Sequence, residues 1–294
     1  MSKHVADQAD GLRRLLAPAP TRVIAVAGMA RGAGATTTTM NIAAALVLQG
    51  KNVLLLDQHA ARAGSVCAQW AIDALGTWTD VAQHRLRCAG AAVVTGSGVH
   101  VLPAPPDPAV ATSDPREFYP SGAILIDAAI DDEGRLLPLA QMADELVLVL
   151  QPTPSAVTAA YAGIKRLHYA HALKQARLIF NGVRDADAAQ QMLTNLVNTG
   201  SRHLAVSLQD GGLVRADPHQ ADARRLYQTV VEAFGTSPAA VDFRRIADEL
   251  WRSPWRSKVL RSRAAEQGHR IVDGAIDAAH AASHPAAAFQ GSSF

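Results

Sequence analysis

The chain has 294 residues, 49% of them hydrophobic and only 18% charged, and its 28 Lys+Arg against 26 Asp+Glu leave a formal charge of +2. That apolar fraction excludes disorder through most of the chain, and the near-neutral charge argues against a dedicated nucleic-acid-coating protein. One large α/β core with flanking segments is expected rather than two equal domains.

Residues 1–20 read as an arm. No apolar stretch follows a basic start, so no secretory leader is read; Ala9, Leu12, Leu15 and Leu16 instead give an amphipathic face that Pro18 and Pro20 end. Residues 21–253 alternate short β-branched runs with longer helical patterns, the signature of repeated βαβ units. Runs 22–27, 52–56, 99–102, 123–126, 145–150 and 176–180 read as strands, and 37–49, 136–143 and 155–173 as helices. Strands so uniformly apolar are buried on both faces. The expected fold class is therefore α/β, a doubly wound, mostly parallel sheet flanked by helices, with ligands beyond the carboxyl ends of its strands. The loops after Ala27, Leu56, Ile126 and Phe180 matter most on that reading.

Residues 254–294 hold a basic segment and a tail. Across 251–270, Arg252, Arg256, Lys258, Arg261, Arg263 and Arg270 face only Glu266, with Trp251, Trp255, Val259 and Leu260 interspersed. Such a mixture suits a membrane interface; Pro254 interrupts the helix and favours solvated charges instead. The stretch 275–294 has no periodic apolar order and reads as a disordered tail. No run is long enough to span a bilayer, and Cys67 and Cys88 form no C-x-x-C pair, so a reducing compartment is expected. The expected location is cytoplasmic, with peripheral contact at the inner membrane through 251–270 as a further option.

The most informative stretch follows the first strand, Gly28-Met29-Ala30-Arg31-Gly32-Ala33-Gly34-Ala35-Thr36-Thr37. A strand running into a glycine-rich turn and then into hydroxyl residues that open a helix is an architecture that cradles phosphate. Backbone N–H groups converge on the anion, the helix N-terminus adds positive potential, and a Thr hydroxyl can ligate Mg²⁺, here Thr36. A tight β-to-α connection capped by Thr36 or Thr37 is the alternative. Elsewhere, His59, His84, His100, His168 and His171 lack metal-binding spacing, and no nucleophile elbow occurs.

The loop resembles the deviant Walker A motif, K-G-G-x-x-K-[ST], of the MinD/ParA class of P-loop ATPases. Gly32, Gly34 and Thr36 match; Ala30 stands at the signature lysine, Arg31 at the first glycine and Ala35 at the phosphate-binding lysine. Other landmarks follow in order. Leu56-Asp57-Gln58-His59 resembles D-x-D, with His59 at the water-orienting acid, and Leu125-Ile126-Asp127 resembles the Walker B strand. Gln151 to Tyr161 resembles T-P-E-P-T-x-x-x-D-A-Y, and Ile179-Phe180-Asn181 matches the adenine-recognising strand end. The resemblance implies ATP or ADP bound by Arg31, Gly32, Ala33, Gly34, Ala35, Thr36, Thr37 and Asn181, and Mg²⁺ held by Thr36, Asp57 and Asp127. Within the class, Asp7-Gln8-Ala9, Leu12 and Arg13 are similar to the opening of FlhG/FleN-type flagellar-number regulators. That similarity implies a partner surface for an FlhF-type GTPase and other flagellar components.

The departures carry their own expectations. Losing the lysine at Ala35 removes charge-assisted bonds of roughly 1.5–3 kcal/mol each, and His59 handicaps hydrolysis, so ATPase activity should be weak or absent. Ala30 weakens the homodimer in which the signature lysine reaches the partner's nucleotide. Arg31 can compensate by donating two bonds to a phosphate oxygen. A non-enzymatic MinD-like pseudo-ATPase scaffold for pilus or cellulose-secretion machinery is the alternative function. No specific nucleic acid is expected, because the core before Trp251 is slightly acidic.

Overall fold

The computed structural model describes residues 21–254. The arm 1–20, with Asp7, Gln8, Ala9, Leu12 and Arg13, and residues 255–294, with most of the basic segment and the tail, lie outside the described residues.

In chain order, β1 (Arg22–Gly28) leads to α1 (Ala35–Leu48), and β2 (Val53–Asp57) to three short helices, α2 (Val66–Gln69), α3 (Trp78–Ala82) and α4 (Cys88–Ala91). A small hairpin, β3 (Val93–Val94) and β4 (His100–Pro103), precedes β5 (Ala123–Ala128). Then come α5 (Pro138–Gln141), β6 (Glu145–Leu150), α6 (Pro154–His171), β7 (Gln175–Val183), α7 (Ala186–His203) and β8 (Ser207–Arg215). The helices α8 (His219–Arg225), α9 (Val230–Ala233) and α10 (Pro238–Arg252) complete the described residues.

The strands form one eight-stranded sheet in the order β3-β4-β2-β5-β1-β6-β7-β8, parallel except where β3 meets β4. From β1 the chain crosses outward to β2, whereas after β5 it passes beyond β1 to β6 and proceeds the other way. That reversal opens a crevice at the carboxyl ends of β1, β2 and β5. The expected doubly wound, mostly parallel sheet is what forms.

Alternation along each strand feeds two cores. Val23, Ala25, Leu54, Leu56 and Ile124 pack on one face with Ile164 and Leu167 of α6 and Leu193 and Leu196 of α7. Ile24, Val26, Leu55, Leu125 and Val147 pack on the other with α1 and with Phe243, Ile246 and Leu250 of α10. Burying a side chain of this size stabilises by about 1.5–3 kcal/mol, so the central strands are fixed from both sides. At the amino ends, Glu145 accepts bonds of 2.5 Å from both Arg22 and Arg177, and Arg22 also donates to the carbonyls of Trp251 and Ser253. A buried carboxylate thus ties the end of α10 to the base of the sheet, opposite the crevice.

Two readings are corrected. The helix expected over 136–143 is only the single turn Pro138–Gln141, because Leu136 pairs with Ile130 in an antiparallel bridge and Pro138 sets the first helical position. The first helix begins at Ala35 with Gly34 as its N-cap, so neither Thr36 nor Thr37 caps it; both lie within its first turn.

Candidate functional site

The loop between β1 and α1 owes its shape to two glycines in the left-handed region, Gly32 at φ 80° and Gly34 at φ 88°. They turn the chain so that α1 starts at the crevice with its N–H groups open toward it. No side chain caps that terminus. Gly34 is tightly surrounded: a Cβ there would fall 2.1 Å from the Asn181 amide nitrogen. Asn181 Nδ2 donates to the Ala33 carbonyl at 3.1 Å, and Gln151 Nε2 donates to the Gly32 carbonyl at 3.3 Å, so the chain ends of β6 and β7 hold the loop from behind.

The two acidic residues of the motifs are the last or next-to-last residues of their strands and sit side by side, because β2 and β5 pair with Asp57 opposite Asp127. Both are completely buried. Asp127 accepts from the Thr36 hydroxyl at 2.9 Å and from Thr39 at 3.5 Å. Burial, reinforced by the neighbouring Asp57 charge and opposed by these hydroxyl bonds, pushes its carboxyl up to about 7. Asp57 is engaged differently. One oxygen takes the backbone N–H of His59 at 2.8 Å and the other that of Cys67 at 2.9 Å, so it braces the loop after β2 and the start of α2. The Cys67 thiol beside it is pushed up to about 12 by burial and by Asp57, which leaves it a protonated, inert core group.

His59 is half-buried, and desolvation lowers its proton affinity despite the Ala128 carbonyl 3.3 Å from Nε2. A carbonyl only accepts, so Nε2 carries the hydrogen of a neutral ring and Nδ1 keeps its lone pair.

These residues border a cleft of about 840 Å³. Of the sequence-predicted set, Arg31, Gly32, Ala33, Gly34, Ala35, Thr36, Thr37 and His59 line it; Asp57 and Asp127 lie beneath its floor. Asn181 lines an adjoining recess of about 370 Å³ with Gln151, Thr153 and Arg184. Its Oδ1 is buried and meets no donor among the described residues. Sequence reasoning missed Arg62, Ser65, Gln69 and Arg224 in the main cleft. Arg62 sits five residues past Asp57 on the same loop, and that closeness to a motif acid is its signal in the sequence. Arg224 arrives on α8 from far along the chain with no local signal.

No protein-family model matches the chain. It is 26% identical over 247 residues to the antiactivator FleN of Pseudomonas aeruginosa, covering 79% of this chain and 86% of that protein. Among solved structures it superposes on the MinD cell division protein of Aquifex aeolicus with a TM-score of 0.65 at 21% identity, over 79% of this chain and 98% of that one. It superposes also on the septum site-determining protein MinD of Pyrococcus horikoshii, a complex with Mg-ADP, with a TM-score of 0.56 at 20% identity, over 79% and 96%. The chain has the fold of the MinD/ParA P-loop class and, within that class, resembles the FlhG/FleN type.

Proposed function

We propose that the crevice holds ATP or ADP with Mg²⁺ as a conformational signal, and that the chain regulates flagellar number or placement in the manner of FlhG/FleN-type proteins, with weak or absent hydrolysis. The observation that carries the reading is the phosphate-sized loop at the sheet's switch point with Thr36 bonded to the buried Asp127 at its floor.

The residues fit such a ligand. The loop and the first turn of α1 offer unpaired N–H groups to phosphates, and the unsatisfied Asn181 Oδ1 is an acceptor suited to the exocyclic amine of adenine. Thr36, Asp127 and Asp57 supply the hard oxygens that Mg²⁺ takes, directly or through water. No cluster of three or more His, Cys, Asp or Glu able to hold a metal occurs among the described residues, so the ion would arrive with its nucleotide. When bound, Mg²⁺ neutralises phosphate charge. Around it, this chain's alanines at 30 and 35 donate nothing to the phosphates, and neutral His59 is a weaker orienter of water than a carboxylate. Binding without rapid turnover follows.

The likeness to an antiactivator over most of both chains supports the flagellar context over the pilus or cellulose-secretion scaffold. An FlhF-type GTPase would be engaged through Asp7, Gln8, Ala9, Leu12 and Arg13. Homodimerisation and membrane contact through 251–270 belong to the same reading; no helix among the described residues is long and apolar enough to cross a membrane.

Calorimetry of the full chain with Mg-ATP tests the nucleotide part. Measurable binding is expected, tightened about 10- to 150-fold in Ala35→Lys if the new ammonium gains one charge-assisted bond. No heat from either protein would sink it, and turnover matching a lysine-bearing relative would sink the claim of weak hydrolysis. The full chain should stimulate an FlhF-type GTPase and deletion of residues 1–20 should abolish this; unchanged stimulation after the deletion would remove the arm from the contact, and none from the full chain would remove that partner.

A further inference from the structure

Three arginines from three separate elements line the main cleft: Arg31 on the loop before α1, Arg62 on the loop after β2, and Arg224 on α8. The same lining contains no Asp or Glu. None of the three forms an ion pair or a side-chain hydrogen bond among the described residues, although the next residue along the chain, Arg225, pairs with Asp222 at 2.8 Å. All three are exposed, like charges that line one cleft repel one another, and the carboxylates that could offset them, Asp57 and Asp127, are buried and committed to backbone amides and hydroxyls.

Arg62 and Arg224 are each delivered by a hydrogen-bonded backbone. The Arg62 amide bonds the His59 carbonyl at 2.7 Å and the Arg62 carbonyl takes the Ser65 amide at 3.1 Å, while Ser65 caps α2. Ala223, beside Arg224, is buried in the core that α1 also feeds. Arg224 also borders the recess beside Thr37, which places it at the first turn of α1. A planar guanidinium pairs with phosphate through two parallel bonds, which an ammonium cannot do.

Resting on the nucleotide reading above, we propose that Arg62 and Arg224 grip the polyphosphate of the bound nucleotide from the walls of the cleft, taking over the charge that Ala30 and Ala35 no longer supply. The ligand class is a nucleoside polyphosphate, and the recognised part is its phosphate chain, not its base. Arg31 adds its charge at the loop.

The experiment is calorimetry of the full-length protein with Mg-ATP and, separately, with inorganic tripolyphosphate and Mg²⁺. The proteins are wild type, Arg62→Ala, Arg224→Ala, the double variant and Arg202→Ala, an exposed arginine on α7 outside the cleft. Affinity for both ligands should fall about tenfold or more in each single cleft variant and further in the double, with Arg202→Ala unchanged. Arg62→Gln and Arg224→Gln repeat the test should an alanine variant melt early. Wild-type binding with unaltered affinity in the double variant overturns the arginine assignment and leaves the nucleotide reading standing. If wild type binds neither ligand, both fall. A loss for Mg-ATP with none for tripolyphosphate also overturns it, because the base would then be what the arginines read.

Discussion

Gly34 carries more of the site than its size suggests. Its φ of 88° costs an L-residue roughly 1–2 kcal/mol, and a Cβ would displace the Asn181 amide that holds the Ala33 carbonyl. Gly32 has a similar φ of 80°, but nothing lies within 4 Å of its would-be Cβ. The pair separates backbone strain from contact. Gly32→Ala and Gly34→Ala should each lower the melting temperature by about 2–8 °C, at about 2–4 °C per kcal/mol for a domain of this size. Gly34→Ala alone should also weaken Mg-ATP binding beyond that of Gly32→Ala, because Asn181 loses its place. Equal losses of binding in the two variants, read by titration calorimetry, would show that the Asn181 contact is irrelevant.

At the level of elements, α6 is joined to the turn before α5 by one buried contact. His171, in the last turn of α6, accepts the Leu136 amide on Nε2 at 2.9 Å. Only a neutral ring can accept, and burial lowers its proton affinity, with Arg135 acting the same way and Asp131 opposing. The sign follows. As pH falls through the ordinary histidine value near 6.5 the unfolded chain takes up a proton that the fold resists, so stability present above that value is lost below it. Urea unfolding at pH 7.5 and 5.5 should show this loss in wild type and a smaller one in His171→Leu. The variant should be less stable at pH 7.5 by about 1–3 kcal/mol, for the orphaned Leu136 amide. An identical pH slope in both proteins would rule His171 out. Legibility divides at the same scale. The central strands could be read because residues such as Ile24 and Leu55 are buried whichever face they take, leaving unbroken apolar runs. β8 escaped because Asp210, Gly211 and Gly212 break its pattern where the ladder with β7 is irregular. α7 escaped because most of its surface is polar, with only Ala189, Leu193, Leu196 and Gly200 buried. The order of the loop motifs revealed the candidate site; of the lining residues they missed, Arg62, Ser65 and Gln69 follow Asp57 closely along the chain, whereas Arg224 is set by tertiary packing alone.

For the whole molecule, the crevice is a place where folding and ligand share free energy. The fold keeps Asp127 at about 7, well above the ordinary 3.8, so the ligand-free native state holds a proton that the unfolded chain releases, and stability declines as pH rises from about 4 to about 7. A magnesium-bound polyphosphate favours the ionised carboxylate and reverses that penalty. Any ligand specific for the folded state adds RT ln(1 + [L]/Kd), about 2.7 kcal/mol at a hundredfold excess over Kd, or roughly 5–11 °C in melting temperature here. Coupling the two effects makes the increment pH-dependent. In wild type, the rise in melting temperature produced by Mg-ATP should grow between pH 6 and pH 8. In Asp127→Asn, which has no proton to release, the nucleotide-free protein should melt higher than wild type at pH 8, and the increment should be small and flat. Scanning fluorimetry of both proteins across that range, with and without EDTA, reads it directly. A wild-type increment that ignores both pH and chelation would place the nucleotide, if it binds, away from the floor formed by Asp127 and Thr36.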